Sequence, residues 1–381
     1  MSGRLAINQL RDRRPDAAAV DRFLARHEAP IVEGGRCTFL WRGQADEVHL
    51  VHRIVGLPDR LPLRRVADTD LWYLVLGLAE GSRVNYQVEV RRGEHVETGN
   101  DPLNPKLSYS PVGTSSVCFA SGYTTPDWAE PDPEARPGKL TEIVVASPAL
   151  RRNCPVTLYL PARFRSTAAY PLLVVHDGGD FLQYAAARTV LDNLIHRLDI
   201  AELVVAFLHP RDRLVEYADS PAHARFLTHE LLPRLEAELP LVAQPSGRCL
   251  LGSSFGAVAS LSTAYRAPDT YGALALMSGS FVFTDIGGAD HGGGPAFDPV
   301  VRFVNHYRQR PRRVAGRLFL SCGVYEPLIT PNRSMVLTFE SAGMAVRFVE
   351  RRDGHNWENW RDTLRDALSW IYPGPQKLVY E

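Results

Sequence analysis

The segment Cys249-Leu250-Leu251-Gly252-Ser253-Ser254-Phe255-Gly256 constrains this chain more than any other. A short apolar run, able to lie in the middle of a sheet, is followed by G-x-S-x-G and then by the helical pattern Gly256–Tyr265. Such a sequence has to pass from strand to helix within one residue. The turn holds its central serine in a conformation that bulky flanking side chains would obstruct, which is why both flanks are glycine. A hydroxyl carried there stands at the carboxyl end of a strand, beside the N–H groups that open the next helix.

The surrounding sequence supplies the rest of such a sheet. From Lys139 onward, strand-like runs at Thr141–Ala146, Val156–Leu160, Leu172–His176, Leu203–Leu208, Cys249–Leu251, Ala273–Met277, Leu318–Ser321 and Val346–Glu350 alternate with helical patterns. The helical patterns cover Ala185–Leu198, His223–Glu238, Gly256–Tyr265, Pro299–Arg308, Arg333–Ala342 and Trp357–Trp370. Alternation of this kind predicts a mostly parallel, doubly wound α/β sheet with helices on both faces, the α/β-hydrolase fold, spanning residues 139–381. The first third reads differently. After one amphipathic helix over residues 16–27, with Val20, Phe23 and Leu24 on one face, the period changes to two around Cys37–Trp41, Val48–Val51, Leu71–Leu76 and Val84–Val90. Short alternating strands between turns predict an N-terminal helix plus an Ig-like β-sandwich over residues 1–125. Residues 126–138 read as a linker, because Pro126 to Pro137 carries four prolines among acids and cannot hold a helix or a central strand.

Ser254 is therefore the expected nucleophile, and a serine hydroxyl needs a base to attack. His355, in Asp353-Gly354-His355-Asn356, follows the last strand and precedes the last helix, the place this fold gives its histidine. The other histidines fit less well: His176 and His209 come before the serine, and His27, His49, His52 and His95 lie in the first domain. The acid that orients the imidazole should follow the strand Leu318–Ser321, where Glu326 stands; Asp353 and Asp285 are the alternatives. The order Ser254, Glu326, His355 is the serine, acid, histidine order of α/β-hydrolases. An oxyanion needs two fixed donors. The N–H of Phe255 is one, and the loop His176-Asp177-Gly178-Gly179-Asp180 offers the N–H of Gly179 as the other.

With 43 basic and 43 acidic residues, the formal charge of the 381-residue chain is zero, which gives no basis for nucleic-acid or membrane binding. No stretch reaches the ~20 apolar residues of a membrane span, and no signal-peptide core precedes Arg14, so a cytoplasmic location is expected. The five cysteines are scattered, without a CxxC pair, and form neither a disulfide framework nor a zinc site; no cofactor or metal is expected. Lysine occurs only at 106, 139 and 377, and all other basic residues are arginine. That bias fits either codon usage or a site that grips anions through guanidinium forks.

The ordered set of motifs resembles the enterochelin (enterobactin) esterases of the α/β-hydrolases. The resemblance runs through Phe39-Leu40-Trp41-Arg42, Asp101-Pro102-Leu103-Asn104-Pro105 and His176-Asp177-Gly178. It continues in Arg213 with Glu216, Glu230–Pro233, Gly252–Gly256, Ser278-Gly279-Ser280, Glu326-Pro327 with Asn332, and Gly354-His355 with Trp360. It departs at Ala257 and Asp353, where the family commonly has glycine. The resemblance implies hydrolysis of the trilactone esters of ferric catecholate siderophores, a Ser–His–acid mechanism, and an N-terminal domain that helps cover a small-molecule substrate. An anionic substrate would suit Arg213, which matches a family position, and Arg211 and Arg333, which are assigned by proximity. A general acyl or feruloyl-type esterase, an acyltransferase, and a non-catalytic glycan- or siderophore-binding protein are the competing expectations.

Overall fold

The computed structural model describes residues 4–284 and 294–375. By compactness the chain divides into two units. The first comprises Met1–Thr124 together with two short segments from far along the chain, Val324–Pro327 and Arg351–Asn356; the second holds the rest.

In the first unit, helices α1 (Ala6–Asp12) and α2 (Ala17–Arg26) precede ten strands. They are β1 (Ile31–Glu33), β2 (Arg36–Arg42), β3 (Glu47–His52), β4 (Arg60–Pro62), β5 (Arg64–Arg65), β6 (Leu71–Gly77), β7 (Arg83–Arg92), β8 (His95–Gly99), β9 (Leu107–Ser110) and β10 (Gly113–Phe119). Two antiparallel sheets result, ordered β1-β2-β6-β5 and β4-β3-β7-β10-β9, with β8 pairing β7. Alternation along β2 explains the layering. Cys37, Phe39 and Trp41 enter a core shared with Val48, Leu50, Val84 and Tyr86 of the other sheet, while Leu40 points the other way to meet Ile7, Val20 and Phe23 of the two helices. Helix α1 has no counterpart in the sequence reading; only Ile7 and Leu10 of its seven residues are buried, too few for a visible period. The Asp101–Pro105 motif closes this unit. Tyr86 donates its hydroxyl to Asp101 (2.7 Å), and Asn104 donates to Tyr86 and to the carbonyl of Val117 (3.0 and 2.9 Å), so these buried polar groups satisfy one another.

The second unit is built on one eight-stranded sheet. Its strands are β11 (Lys139–Ser147), β12 (Arg152–Leu160), β13 (Leu172–Val175), β14 (Val204–Leu208), β15 (Arg248–Ser253), β16 (Ala273–Met277), β17 (Arg317–Gly323) and β18 (Ala345–Arg351), in the order β11-β12-β14-β13-β15-β16-β17-β18. The β11-β12 and β12-β14 pairs are antiparallel, and the pairs from β14 through β17 are parallel. Period two again sorts the side chains. Leu172, Val174, Leu250, Leu274, Leu276, Leu318 and Leu320 join one core, and Leu173, Val175, Cys249, Leu251, Ala273, Ala275, Met277 and Phe319 join the other. With both faces covered, the central strands are apolar throughout, as parallel strands must be. The helices are α3 (Gly178–Tyr184), α4 (Ala187–His196), α5 (Arg213–Glu216), α6 (Pro221–Arg225), α7 (Leu232–Glu238), α8 (Phe255–Arg266), α9 (Asp298–Gln309), α10 (Ile329–Ser341) and α11 (Trp357–Ile371). A π-helical turn, Phe226–Leu231, joins α6 to α7. No helix among the described residues is long and apolar enough to cross a membrane.

Candidate active site

Ser254 sits at the junction of β15 and α8 with φ 56° and ψ −119°, a conformation most side chains avoid. The two glycines of the motif make it possible in a specific way. A Cβ on Gly252 would lie 2.2 Å from the backbone of Gly256, and a Cβ on Gly256 would lie 3.0 Å from the His176 side chain. The elbow is thus closed backbone against backbone. Its N–H donates to Met277 (2.9 Å) and its carbonyl accepts from the N–H of Ser280 (3.2 Å), which ties it to the end of β16. The Ser254 and Ser280 hydroxyls lie 3.1 Å apart.

The neighbouring turn after β13 was expected to be a glycine loop. It closes at once into α3, with Asp177 in the left-handed region (φ 54°) as the residue before the helix. Gly178 is required by packing, since a Cβ there would fall 2.4 Å from Phe207. Gly179 is the second residue of α3 and Phe255 the first of α8, and the first amides of a helix have no acceptor inside it. Both therefore keep an N–H to offer.

Arg213, at the start of α5, joins the two turns. Its Nε lies 2.9 Å from each oxygen of Asp177, and its Nη2 donates to the carbonyl of Ser253 (3.3 Å). The guanidinium also lies 5.8 Å from the ring centres of Tyr217 and Phe255. Burial raises the Asp177 carboxyl above its ordinary value, and the Arg213 charge and hydrogen bond oppose that rise only in part. Glu216 fixes the same loop from below, accepting both Arg152 (3.0 and 2.8 Å) and the N–H of Arg211 (2.9 Å). The Arg211 residue itself is exposed. Arg333 donates through Nε and Nη2 to Glu350 (2.6 and 2.8 Å) in an exposed pair.

Glu326 and His355 belong to the two late segments of the first unit. His355 Nδ1 lies 2.5 Å from Glu326 Oε2. A carboxylate only accepts, so Nδ1 carries a proton and donates a hydrogen bond to Glu326. Glu326 is 1% exposed, and the segments around the pair are held by main-chain bonds. Val324 donates to Arg351 (2.8 Å), Tyr325 to Asp353 (3.1 Å), and Val55 to Tyr325 (2.8 Å). Arg83 of β7, 2% exposed, donates from its backbone to Arg352 (2.9 Å) and from Nη1 to Asp353 (3.3 Å) and Asn356 (3.0 Å). Asp353 thus serves Arg83, and Glu326 takes the histidine. Asp285 lies outside the described residues. Among the described residues no group of three or more His, Cys, Asp or Glu side chains is arranged to hold a metal ion.

Several contributors were not anticipated from the sequence: the Arg213–Asp177 clamp, Ser280, Arg83, and a buried histidine pair behind the elbow. His176 Nδ1 donates to the carbonyl of Leu251 (3.1 Å), and its Nε2 lies 3.0 Å from Nε2 of His223. His223 must then donate, which leaves its Nδ1 buried without a hydrogen-bond partner. Burial holds His176 at about 4 and His223 well below its ordinary value. A second proton on His176 would set two N–H groups against each other. Both rings are neutral in the folded protein, whereas the unfolded chain gains protons as the pH falls below about 6.5. Stability is therefore complete above that value and is lost on acidification towards 4. The expected loss by pH 5 is about 2 kcal/mol per histidine. Thermal unfolding of wild type and His223→Gln at pH 7, 6 and 5 checks this: the variant should show the shallower pH dependence, and parallel curves would contradict it.

A family model described as "Putative esterase" matches residues 147–371. An uncharacterized protein of Bacillus subtilis (strain 168) is 26% identical over 241 residues, covering 61% of this chain and 96% of that one. The "Iron(III) enterobactin esterase" of Dickeya dadantii (strain 3937) is 23% identical over 417 residues, 92% of each chain. The crystal structure of the enterobactin esterase of Shigella flexneri, determined in the presence of enterobactin, superposes with a TM-score of 0.70 at 20% identity, covering 88% of this chain and 92% of that one. The match to the family model extends from the end of β11 to the end of α11 and includes the elbow, the turn after β13 and His355, so the chain belongs to this esterase family.

Proposed function

We propose that the protein is a serine carboxylic-ester hydrolase whose substrate is a catecholate siderophore of the enterobactin type. Ser254 Oγ attacks an ester carbonyl while His355 Nε2 takes its proton, and Glu326 holds the imidazole tautomer and steadies the imidazolium. The N–H groups of Gly179 and Phe255 receive the oxyanion. The carbon–oxygen bond to the leaving alcohol then breaks, and His355 returns the proton to that alkoxide. Water, deprotonated by the same histidine, attacks the acyl-enzyme; Ser254 leaves with its proton restored and the acid is released. The observation that carries this reading is the backbone of Ser254, held at φ 56° between a buried strand and a helix start.

The substrate class is supported by the named relative from Dickeya dadantii, matched along nearly its whole length. Arg211 and Arg333 are the cations we assign to an anionic ferric catecholate, whereas Arg213, expected for the same task, is engaged by Asp177 and the Ser253 carbonyl; Arg333 would first have to exchange Glu350 for the substrate. We read the first unit as an Ig-like β-sandwich, on the shared core of its two antiparallel sheets. Five buried free thiols suit a reducing compartment, so the reaction is assigned to the cytoplasm, after uptake.

The test is incubation of the protein with ferric enterobactin, and separately with p-nitrophenyl acetate and methyl ferulate, followed by mass analysis. Release of linear trimer, dimer or monomer supports the siderophore reading. Turnover of the simple or feruloyl esters alone overturns it and leaves the hydrolase standing. Ester formation with an added alcohol in place of hydrolysis identifies an acyltransferase, and siderophore binding without turnover a binding protein.

A further inference from the structure

We infer that Ser280 is a further catalytic residue, donating a hydrogen bond to the attacking oxygen of Ser254; this rests on Ser254 being the nucleophile. Ser280 is 2% exposed, and its Oγ lies 3.1 Å from Ser254 Oγ. Each hydroxyl has one proton. If the Ser254 proton is directed to a base, only the Ser280 proton can fill the space between the two oxygens. The direction of this bond follows from the chemistry of the nucleophile.

The backbone around Ser280 is fixed to an extent that an ordinary turn does not require. Ser278 has φ 45°, in the left-handed region. Its N–H donates to Ser321 (2.7 Å), and its hydroxyl accepts from the indole of Trp360 (3.0 Å). Gly279 admits no side chain, since a Cβ would lie 2.2 Å from the Phe281 ring. Its peptide groups are gripped on both sides by the buried amide of Asn332, which accepts from the Gly279 N–H (3.1 Å) and donates to the Gly279 carbonyl (2.8 Å). The N–H of Ser280 then closes on the carbonyl of Ser254 (3.2 Å). Every one of these contacts restricts where the Ser280 hydroxyl can be. Asn332 acts through this turn and is a positioning residue.

A donor at this place gains strength as reaction proceeds. In the resting enzyme it orients the lone pairs of Ser254 Oγ. During attack that oxygen loses its proton and carries negative charge, so the bond is stronger in the transition state than before it. Once the acyl-enzyme forms, the oxygen is an ester oxygen and a poor acceptor, and the bond weakens. Deacylation makes Ser254 Oγ the leaving alkoxide, and the donor is used a second time.

The experiment is the pre-steady-state burst of p-nitrophenol from p-nitrophenyl acetate, with wild type, Ser280→Ala and Ser280→Thr, alongside KM and the unfolding midpoint. Ser280→Ala should acylate about 10- to 100-fold more slowly with KM changed less than about 3-fold and the midpoint unmoved. Ser280→Thr, which keeps the hydroxyl, should recover most of the rate. Acylation of Ser280→Ala at the wild-type rate overturns the inference, as does an equal loss in the alanine and threonine variants. Absence of acylation at Ser254 in the wild type itself contradicts the nucleophile assignment instead, and the two failures are told apart by that control.

Discussion

Ser254→Ala lowers kcat for p-nitrophenyl acetate by about 10⁶-fold, to the level left by binding and the oxyanion donors alone. On the proposed mechanism the loss is that large because, without the hydroxyl, the base has no proton to take. KM should hardly change, since the N–H groups of Gly179 and Phe255 are untouched. A companion variant separates function from fold. Ser254 stands at φ 56° and ψ −119°, where glycine is at ease and other residues are not. Ser254→Gly is accordingly expected to be as inactive as the alanine variant yet to unfold at a higher temperature, by about 1 kcal/mol of added stability. Calorimetry of the two variants with wild type checks this. A glycine variant less stable than wild type would mean that the elbow is not strained.

Arg213→Met gives the second large effect, and it falls on stability and rate together. Asp177 is 2% exposed, and the guanidinium is the one cation that offsets its burial in the described contacts. Removing the partner leaves a buried carboxylate alone, at a cost of about 3 kcal/mol, the lower part of the usual range because Arg213 is partly exposed to water. The Ser253 carbonyl, one residue before the nucleophile, loses its donor at the same time, so kcat should fall about 10- to 100-fold. Arg213→Lys should not rescue, because a single ammonium cannot reach both carboxylate oxygens and the carbonyl in the geometry of the planar fork. Adding Asp177→Asn to Arg213→Met should restore part of the stability by removing the unpaired charge. Urea unfolding and steady-state kinetics measure both effects. An unmoved unfolding midpoint with KM raised only for anionic esters would mean that Arg213 serves the substrate and not the two turns.

The sheet of the second unit was legible because its central strands are buried on both faces and therefore written in unbroken apolar runs, such as Leu172–Val175 and Ala273–Met277. The elbow was legible for a different reason: Gly252 avoids a collision with the backbone of Gly256 that any Cβ would cause. Helix α3 escaped notice because it opens on Gly178 and Gly179, poor helix formers, and buries little beyond Phe181. The helical stretch His223–Glu238 is in fact α6, a π-helical turn and α7, with Pro233 in the first turn of α7 where its missing N–H costs nothing. Chain order singles out Glu326 and His355 as candidates, and the structure places their side chains in contact, with Nδ1 2.5 Å from Oε2. Arg213 shows where such reasoning stops. Its match to a family position suggested a cation for the substrate, but no pattern of residues reveals that the guanidinium turns inward to Asp177. Ser280 is similar: Ser278-Gly279-Ser280 enters the sequence reading only through the family resemblance, and only the 3.1 Å separation of two hydroxyls points to a task for Ser280.

The central claim is that Ser254 is the activated nucleophile, and covalent labelling tests it most directly. Treatment with a fluorophosphonate, digestion and tandem mass spectrometry should locate one phosphonyl adduct, on the Oγ of Ser254, and Glu326→Ala should form it much more slowly. An unlabelled protein, or an adduct on another residue, would contradict the account.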